Sequence, residues 1–441
     1  MIKTILSRDF RHTFVNQLWR LFSGPLMLVL IPLYLSADAQ GYWYTFVSLA
    51  ALAIFADMGF STILLQFSAH EFAYLKFEKN KMLSGEQQYL ERIATLFKFS
   101  MKWSSGMGLL AFPIILVVGF VILNEKQTDI AWEIPWFVYG IASIFVFVNS
   151  MLLSFIEGCN SVGEVQKIRF YISFITAIST IVLLVLGSEL YALAISLGIG
   201  ALSGTIIIFY KYKYMLKQLF FFNKAAEHNW KRDILPLVGR YAISWISGYF
   251  IFSVFTPIAF HFYGVVEAGQ IGFSLAIYTA IFGIANIWMT IITPKINIYV
   301  AHKDYDNLNR IFKKHLISAV VTYILGVTVL FFLVFFLKDI LPFATRLVSP
   351  FSLGIIALGW LLQIIINAYA IYMRAHKEEP LMIPSFVIGV YISITTVLIA
   401  IYFPFEYFFL GFLSSYVWGL PWIMVIFKRY KKGSFKSYES K

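Results

Sequence analysis

The sequence predicts an all-α polytopic membrane protein with twelve transmembrane helices, arranged as two pseudo-symmetric six-helix bundles around a central cavity. Three observations predict this fold class: twelve long apolar runs, basic residues confined to alternate gaps between them, and a weak internal repeat. Hydrophobic residues make up 60% of the 441 residues and aromatic residues 19%, which is typical of lipid-facing helices with interfacial aromatic belts.

Each apolar run is long enough to cross a membrane as a helix. About 20 apolar residues span a hydrocarbon core of about 30 Å, and a chain in lipid must satisfy its own backbone hydrogen bonds. Strands of a β-barrel would alternate polar and apolar residues, which these runs do not. The predicted spans are 15–36, 42–65, 99–123, 134–156, 169–188, 190–210, 236–259, 267–292, 316–337, 351–373, 381–402 and 404–427.

Basic residues indicate the orientation of these spans. If the N-terminus is cytoplasmic, 32 of the 35 Lys and Arg residues lie in inner segments or at inner helix ends. The other three are Lys126, Lys338 and Arg346. Cytoplasmic loops carry such an excess, so both termini are predicted to be cytoplasmic. The net charge of +12 then requires no nucleic acid, because basic inner loops face anionic lipid. The first run lacks a cleavage site, and we expect it to remain as a signal anchor.

The two halves of the chain match weakly at equivalent places. The segments DAQGYWYTF and VEAGQIGFS occupy the same outer turn and align Gly41 with Gly269. The inner segments YLERIATLFK and NLNRIFKKHL align Arg92 with Arg310. Each half has an even number of helices, so the two repeats run parallel and enclose a cavity between them.

The repeat and the charges predict four regions. An N-terminal six-helix lobe covers 1–210, and a C-terminal six-helix lobe covers 236–427. Between them, 211–235 alternates Lys with Tyr and Phe, which is typical of an amphipathic helix on the membrane surface, although a solvated linker fits as well. A basic cytoplasmic tail covers 428–441.

Motifs of soluble enzymes do not fit this chain. The glycines from Gly198 to Gly204 lack the preceding strand of a dinucleotide loop and are better explained by close helix packing. Cys159 is the single cysteine, which excludes an internal disulfide or a thiolate metal site. The outer loops 124–133 and 338–350 are too short to form a catalytic domain. We therefore expect a transporter and no enzyme, with no cofactor and no metal.

Polar residues inside the runs mark the candidate transport path, because such residues are costly in a membrane. Glu157 closes the fourth run and is expected to meet water at the interface. The candidate substrate-binding residues are Arg20, Arg240, Asn16, Gln17, Gln363 and Asn367, and the candidate ion-coupling residue is Asp57.

Each candidate has a second interpretation. Arg20 and Arg240 lie near enough to the inner surface to snorkel to headgroups. Asp57 binds an ion or proton during transport, or it pairs with a basic residue or caps a bent helix. Gln363 and Asn367 lie on one helix face and either line a cavity or hold two helices together.

Three motifs carry a family resemblance. Gly41-Tyr42 lies at the first outer turn, FADMGF follows at 55–60, and EGCNSVGE forms the inner turn at 157–164. In this order, and within the run from 14 to 73 above all, they resemble the O-antigen flippases of the polysaccharide transporter family. That family belongs to the multidrug/oligosaccharidyl-lipid/polysaccharide exporter superfamily, and twelve-helix hydropathy extends the resemblance over the whole chain.

The resemblance implies a function and partners. Members move an undecaprenyl-diphosphate-linked oligosaccharide, the O-antigen repeat unit of lipopolysaccharide, from the cytoplasmic to the periplasmic leaflet of the bacterial cell inner membrane. They are thought to use alternating access between two lobes around a cationic lumen. The partners it suggests are the lipid-linked oligosaccharide, H⁺ or Na⁺ as coupling ion, membrane lipids and the polysaccharide polymerase.

Two other functions compete with the flippase. A multidrug or cation antiporter of the same superfamily predicts acidic residues along the cavity, whereas Asp57 is the only deeply placed carboxylate against Arg20 and Arg240. A membrane polymerase is disfavoured by the short outer loops.

Overall fold

The computed structural model describes residues 8–126, 128–222, 228–336, 342–376 and 379–431. Within these ranges twelve helices are long and apolar enough to cross a membrane. The predicted all-α, twelve-helix fold class is confirmed. The spans are Arg11–Tyr34, Ala37–Asp57, Gln87–Leu123, Glu133–Gly158, Val162–Val185, Glu189–Phe220, Trp230–Phe252, Val265–Ala301, Tyr305–Phe336, Pro350–Arg374, Met382–Tyr402 and Phe405–Lys431.

The chain divides into two compact units, Met1–Ile246 and Ser247–Lys441, and the division falls within one helix, Trp230–Phe252. The helices of the first unit are α1 (Arg8–Tyr34), α2 (Ala37–Ala50), α3 (Ile54–Asp57), α4 (Phe60–Phe72), α5 (Gln87–Leu123), α6 (Glu133–Gly158), α7 (Val162–Val185), α8 (Glu189–Phe220) and the first part of α9 (Trp230–Phe252). The second unit contains the rest of α9, then α10 (Phe255–Phe262), α11 (Val265–Ala301), α12 (Tyr305–Phe336), α13 (Pro350–Arg374), α14 (Met382–Tyr402) and α15 (Leu410–Lys431).

The same helix pairings recur in both units. In the first unit α1 packs on α7, α4 and α5 pack on α6, and α6 and α7 pack on α8. In the second unit α10 packs on α14, α11 and α12 pack on α13, and α13 and α14 pack on α15. Three of the pairings, α5 on α6, α6 on α8 and α7 on α8, recur between spans six further along the chain, and the other two involve α4 and α10, which lie outside the twelve spans. The weak sequence repeat therefore corresponds to a repeated helical arrangement.

The aligned residues of the repeat also occupy equivalent places in their helices. Gly41 is the fifth residue of α2, and Gly269 is the fifth residue of α11. Arg92 is the sixth residue of α5, and Arg310 is the sixth residue of α12.

The second span is broken, a feature that its apolar run did not predict. A 3₁₀ turn at Ala51–Ala53 leads into α3, and then Met58 and Gly59 adopt left-handed conformations with φ of 47° and 75° before α4 begins. A Cβ atom on Gly59 would lie 2.9 Å from the Cβ atom of Tyr241 and 3.1 Å from the ring of Trp245. Glycine is therefore required here by its φ angle and by the close approach of α9.

A short hairpin, which the sequence did not predict, follows α4. Strand β1 (Leu75–Phe77) pairs antiparallel with β2 (Leu83–Gly85). The Gln218 side chain of α8 donates to the carbonyl oxygen of Leu83 and accepts from its amide, each at 2.8 Å. This pair of bonds satisfies one strand edge and fixes the hairpin on α8.

Segment 211–235 begins as the last turns of α8, which continues to Phe220. Residues 223–227 lie outside the described part of the chain, and α9 begins at Trp230. Of the predicted tail 428–441, residues 428–431 complete α15 and the others lie outside the described ranges.

Candidate functional site

Helix α1 is fixed on α7 by two side-chain hydrogen bonds. The amide nitrogen Nδ2 of Asn16 donates to Oε1 of Gln166 at 2.8 Å, and the indole nitrogen of Trp19 donates to the hydroxyl of Ser173 at 3.1 Å. The Trp19 ring also meets the ring of Phe170 edge-on, with centroids 6.1 Å apart. These contacts set the rotation of α1 about its axis, because they hold one face of it against α7.

A polar chain continues from this contact to the end of α6. Nε2 of Gln166 donates to Oε1 of Glu157 at 3.3 Å, and Nη2 of Arg169 lies 2.8 Å from Oε2 of the same carboxylate. The Glu157 side chain is only 12% exposed, so the expected contact with water is largely replaced by this ion pair. Asn16, Gln166, Glu157 and Arg169 thus join three helices in one network.

The fixed rotation of α1 leaves Gln17 and Arg20 exposed. Within the described residues neither side chain has a hydrogen bond or an ion pair. Tyr34 ends α1 fourteen residues beyond Arg20, which corresponds to about 21 Å of helix. Since the hydrocarbon core is about 30 Å thick, Arg20 lies inside the span and not at its end.

Arg240 on α9 shares these properties. It is exposed and, in the part of the chain that the structure describes, has no hydrogen bond or ion pair. Phe252 ends α9 twelve residues further on, about 18 Å along the helix. α10 then continues the same apolar run to Phe262, which precedes the outer turn as Tyr34 does in the first half. Arg240 therefore lies nearer the inner end of the seventh span than Arg20 does in the first span, although the two spans are equivalent in the repeat.

Several other basic residues near the spans are neutralised by carboxylates. Arg92 forms a bidentate pair with buried Glu71, with two N···O distances of 2.8 Å. Lys81 and Lys211 both contact Glu164, at 3.0 and 3.1 Å. Arg20 and Arg240 therefore differ from these basic residues, because neither arginine has a carboxylate partner among the described residues.

Asp57 lies at the break of the second span. Its Oδ1 accepts from the backbone amide of Ser61 and its Oδ2 from the Ser61 hydroxyl, each at 2.9 Å. The carboxylate thereby satisfies an amide in the first turn of α4, as a capping residue does. No basic side chain pairs with Asp57 among the described residues.

The two amides of α13 bridge neighbouring helices. Oε1 of Gln363 accepts from the hydroxyl of Tyr416 on α15 at 3.0 Å. Nδ2 of Asn367 donates to Oδ1 of Asn286 on α11 at 2.7 Å. The geometry matches interhelical bonding, and both side chains are only half-buried, so one side of each faces open space.

Trp360 precedes these amides on the same face of α13. Its ring packs on Phe252 and Phe282, with centroids 5.6 and 5.1 Å apart. Its buried indole N–H has no partner among the residues that the structure describes. Gln166, Ser61 and Trp360 were not among the predicted site residues, because nothing in the local sequence distinguishes them from ordinary polar or aromatic residues of a span.

The structure groups the predicted residues into three places. Asn16, Gln17 and Arg20 lie together on α1. Asp57 lies at the helix break, where Gly59 closely approaches the stretch of α9 that follows Arg240. The third group, Gln363 and Asn367, belongs to the second unit.

A cavity of about 560 Å³ lies beside Glu157 at the ends of α4 and α6. Its lining is mainly apolar. The lining residues are Leu65, Ala69, Phe72, Ala73, Leu75, Glu157, Gly158, Asn160 and Val162.

Solved structures of membrane transporters share this fold. The lipid II flippase MurJ in an inward closed conformation superposes with a TM-score of 0.67 and 14% identity, over 97% of this chain and 90% of that chain. An inward-facing multidrug resistance MATE family transporter of the MOP superfamily gives a TM-score of 0.63 and 14% identity, over 95% and 96%. A MOP superfamily transporter from Pyrococcus furiosus, whose binding pocket of reversed polarity suggests a different function, gives 0.54 and 11%, over 96% and 95%.

The chain is thus a multi-pass membrane protein of transporter fold. More narrowly, it shares its fold with solved structures of two MOP superfamily transporters. No family model matches the sequence, and no curated protein matches it.

Proposed function

We propose that this protein is a flippase for a polyprenyl-diphosphate-linked oligosaccharide, an O-antigen repeat unit, in the bacterial inner membrane. It moves the headgroup from the cytoplasmic to the periplasmic leaflet, and both of its termini are cytoplasmic. One observation carries the proposal. Arg20 and Arg240 lie within equivalent spans, are exposed, and have no counter-charge within the described protein.

Energetics favour an anionic ligand at these arginines. Placing an Arg at the centre of a bilayer costs about 2.5–3.5 kcal/mol even on insertion scales. A protein retains such residues where they meet water or a ligand charge. The guanidinium is planar, keeps its charge at any accessible pH, and matches the oxygens of a phosphate group. A diphosphate is therefore the ligand that suits two such groups.

The cargo itself requires a polar route. A buried sugar hydroxyl without a partner costs about 1–3 kcal/mol on protein scales, and the diphosphate charges cost far more. Gln17 is exposed and has no hydrogen bond among the described residues, so it is able to meet a hydroxyl. Gln363 and Asn367 would each exchange an interhelical bond for a bond to a sugar.

The sign of the unpaired charges distinguishes a flippase for an anionic cargo from a cation antiporter. A cationic cargo requires free carboxylates, yet the carboxylates inside the second, fourth and fifth spans are engaged by protein groups. Asp57 is bonded to Ser61, and Glu157 is paired with Arg169. Arg20 and Arg240, by contrast, are positive and have no carboxylate partner among the described residues.

Transport against a gradient requires coupling, and Asp57 is our candidate for it. Binding of a proton or Na⁺ at this carboxylate would change the capping of α4 and its contact with α9. An ion that binds two conformations unequally shifts the balance between them, which is sufficient for coupling. No bond is made or broken in such a cycle, so we propose no enzymatic activity. Association with the polysaccharide polymerase is a further part of the proposal.

Complementation tests the proposed function. The gene is expressed in a bacterium that lacks its O-antigen flippase, and surface O-antigen is measured. Restored surface polysaccharide supports the flippase. Resistance to cationic drugs without any restored polysaccharide, at comparable protein abundance, would instead establish the antiporter.

A further inference from the structure

One face of α8 is exposed along the whole length of the helix. Its exposed residues recur every three or four positions, which places them in a single line on a helix of 3.6 residues per turn. The first part of the line is wholly apolar, and its exposure reaches 67% at Ile206. The apolar members are Ile195, Ile199, Leu202, Ile206 and Phe209.

The chemistry of this face changes at its end. After Phe209 the same line continues with Lys213 and Lys217, and both are exposed. Tyr210 and Tyr214 flank them with exposures of 81% and 49%. The ammonium group of Lys213 lies 4.9 Å from the centroid of the Tyr214 ring.

The position of the change matches the edge of the hydrocarbon. A helix leaves a core of about 30 Å after about 20 residues, so a helix that enters at Glu189 emerges near Phe209. Lys213 follows about 6 Å beyond that point, which is headgroup depth, and Lys217 about 12 Å beyond it, from where its long side chain reaches back to the headgroups. The apolar part of the line therefore contacts acyl chains, and the basic part contacts headgroups of the same leaflet.

The lysines on the two faces of this helix end differ in whether they pair with a carboxylate. Lys211, on the other face, pairs with Glu164 at 3.1 Å. Within the described residues Lys213 and Lys217 have no acidic partner. The end of α8 is also held in place, because Gln218 bonds both polar groups of Leu83 in the hairpin. The charges of Lys213 and Lys217 thus remain unpaired by carboxylates of the described residues, on a helix end that the hairpin holds in place.

We propose that Lys213, Lys217, Tyr210 and Tyr214 form a binding site for an anionic glycerophospholipid of the inner leaflet, such as phosphatidylglycerol. The lysines contact the phosphodiester, and the tyrosine rings lie at the interface as aromatic residues do in membrane proteins. This site is separate from the transport path and does not depend on the cargo.

Native mass spectrometry of the delipidated full-length protein tests the site, with phosphatidylglycerol and phosphatidylcholine as probes. The wild-type protein is expected to bind phosphatidylglycerol more tightly than phosphatidylcholine. The variant K213Q/K217Q is expected to lose about fivefold in phosphatidylglycerol affinity for each lysine, with phosphatidylcholine binding unchanged. K213R/K217R, which retains both charges, should bind like the wild type.

A matched control removes the same charge elsewhere. Lys313 and Lys314 are exposed near the inner end of α12, so K313Q/K314Q has the same net charge as the test variant. An equal loss in this control, or unchanged binding in K213Q/K217Q, would overturn the site. Farnesyl diphosphate provides the last comparison: if K213Q/K217Q weakens its binding more than that of phosphatidylglycerol, the lysines serve the cargo and the assignment to a phospholipid is wrong.

Discussion

Asp57 receives two hydrogen bonds from Ser61, one from the backbone amide and one from the hydroxyl, each 2.9 Å long. The two residues bracket the left-handed pair Met58 and Gly59, so the carboxylate closes the break in the second span. A charged group at this place combines a structural task with the capacity to bind a proton or a cation.

We expect Asp57→Asn to separate these two roles. The amide oxygen of Asn still accepts from the Ser61 backbone, but its NH₂ group can only donate to the hydroxyl, so a bond to a charged group becomes a neutral one and about 1 kcal/mol of stability is lost. Because Asn cannot be protonated, export should no longer respond to collapse of the proton or sodium gradient. Export is measured as surface O-antigen with and without an ionophore.

Ser61→Ala is the matched control for Asp57. It removes the hydroxyl bond but leaves the carboxylate, so stability should fall by a similar amount while export keeps its response to the gradient. If Asp57→Asn export still follows the gradient, coupling through Asp57 is refuted and the carboxylate serves only as a cap.

Gly59→Ala should destabilise the protein. The left-handed conformation costs a residue with a Cβ atom about 1–2 kcal/mol. The new atom would also lie 2.9 Å from the Cβ atom of Tyr241, so α9 must shift. Thermal unfolding of the purified protein measures the effect. Gly106→Ala in α5 is the control, since its Cβ atom meets nothing within 4 Å and the change should be neutral or stabilising; equal Tm values for the two variants would contradict this account of the break.

The bond between Asn16 and Gln166 should appear in a double-mutant cycle. Gln166→Leu leaves the buried amide of Asn16 without its acceptor, which costs about 1–3 kcal/mol. The double variant N16L/Q166L removes both partners and should recover part of that loss, with a coupling energy of about 0.5–3 kcal/mol. Denaturation of the purified protein gives the four free energies. Additive effects would show that this bond does not hold α1 on α7.

Cysteine labelling tests the orientation of the spans. A Cys159→Ala background removes the native thiol, which is buried, at the cost of a small cavity. Asn80→Cys in the hairpin turn should be protected from an impermeant maleimide in intact cells, whereas Asp129→Cys in the outer loop should react. Reaction of both residues, or of the hairpin residue alone, would contradict the predicted topology.

The spans were predictable because hydropathy is a local property of the sequence. Twelve apolar runs gave the twelve helices, and the charges between them gave a consistent orientation. The break at Met58 and Gly59 was not predictable in this way, since two residues in a left-handed conformation leave the apolar pattern of the run unchanged. The hairpin at Leu75–Gly85 is too short for a strand pattern to stand out from a polar loop.

The sequence indicated which residues are candidates for the site, but it did not indicate their hydrogen-bond partners. Charged and amide residues inside apolar runs identified Asn16, Arg20 and Asp57. The partner of Asn16 lies 150 residues away, so no local pattern could name Gln166. The sequence also left open whether Asp57 meets a basic residue, and its partner Ser61 depends on a backbone break that becomes visible only in the folded chain.

Direct binding of a polyprenyl diphosphate to the purified full-length protein tests the central claim, that Arg20 and Arg240 contact the diphosphate. The measurement compares the wild type with R20A/R240A, with R20K/R240K, and with Arg11→Ala, which removes an exposed arginine at the inner end of the same helix α1. Each charged hydrogen-bonding group contributes about 1.5–3 kcal/mol, so the double Ala variant should bind at least a hundredfold more weakly, since 1.4 kcal/mol is about tenfold. The double Lys variant should fall between them because it keeps the charge and loses the planar fork. Wild-type affinity in a folded R20A/R240A protein, or an equal loss in Arg11→Ala, would contradict the account.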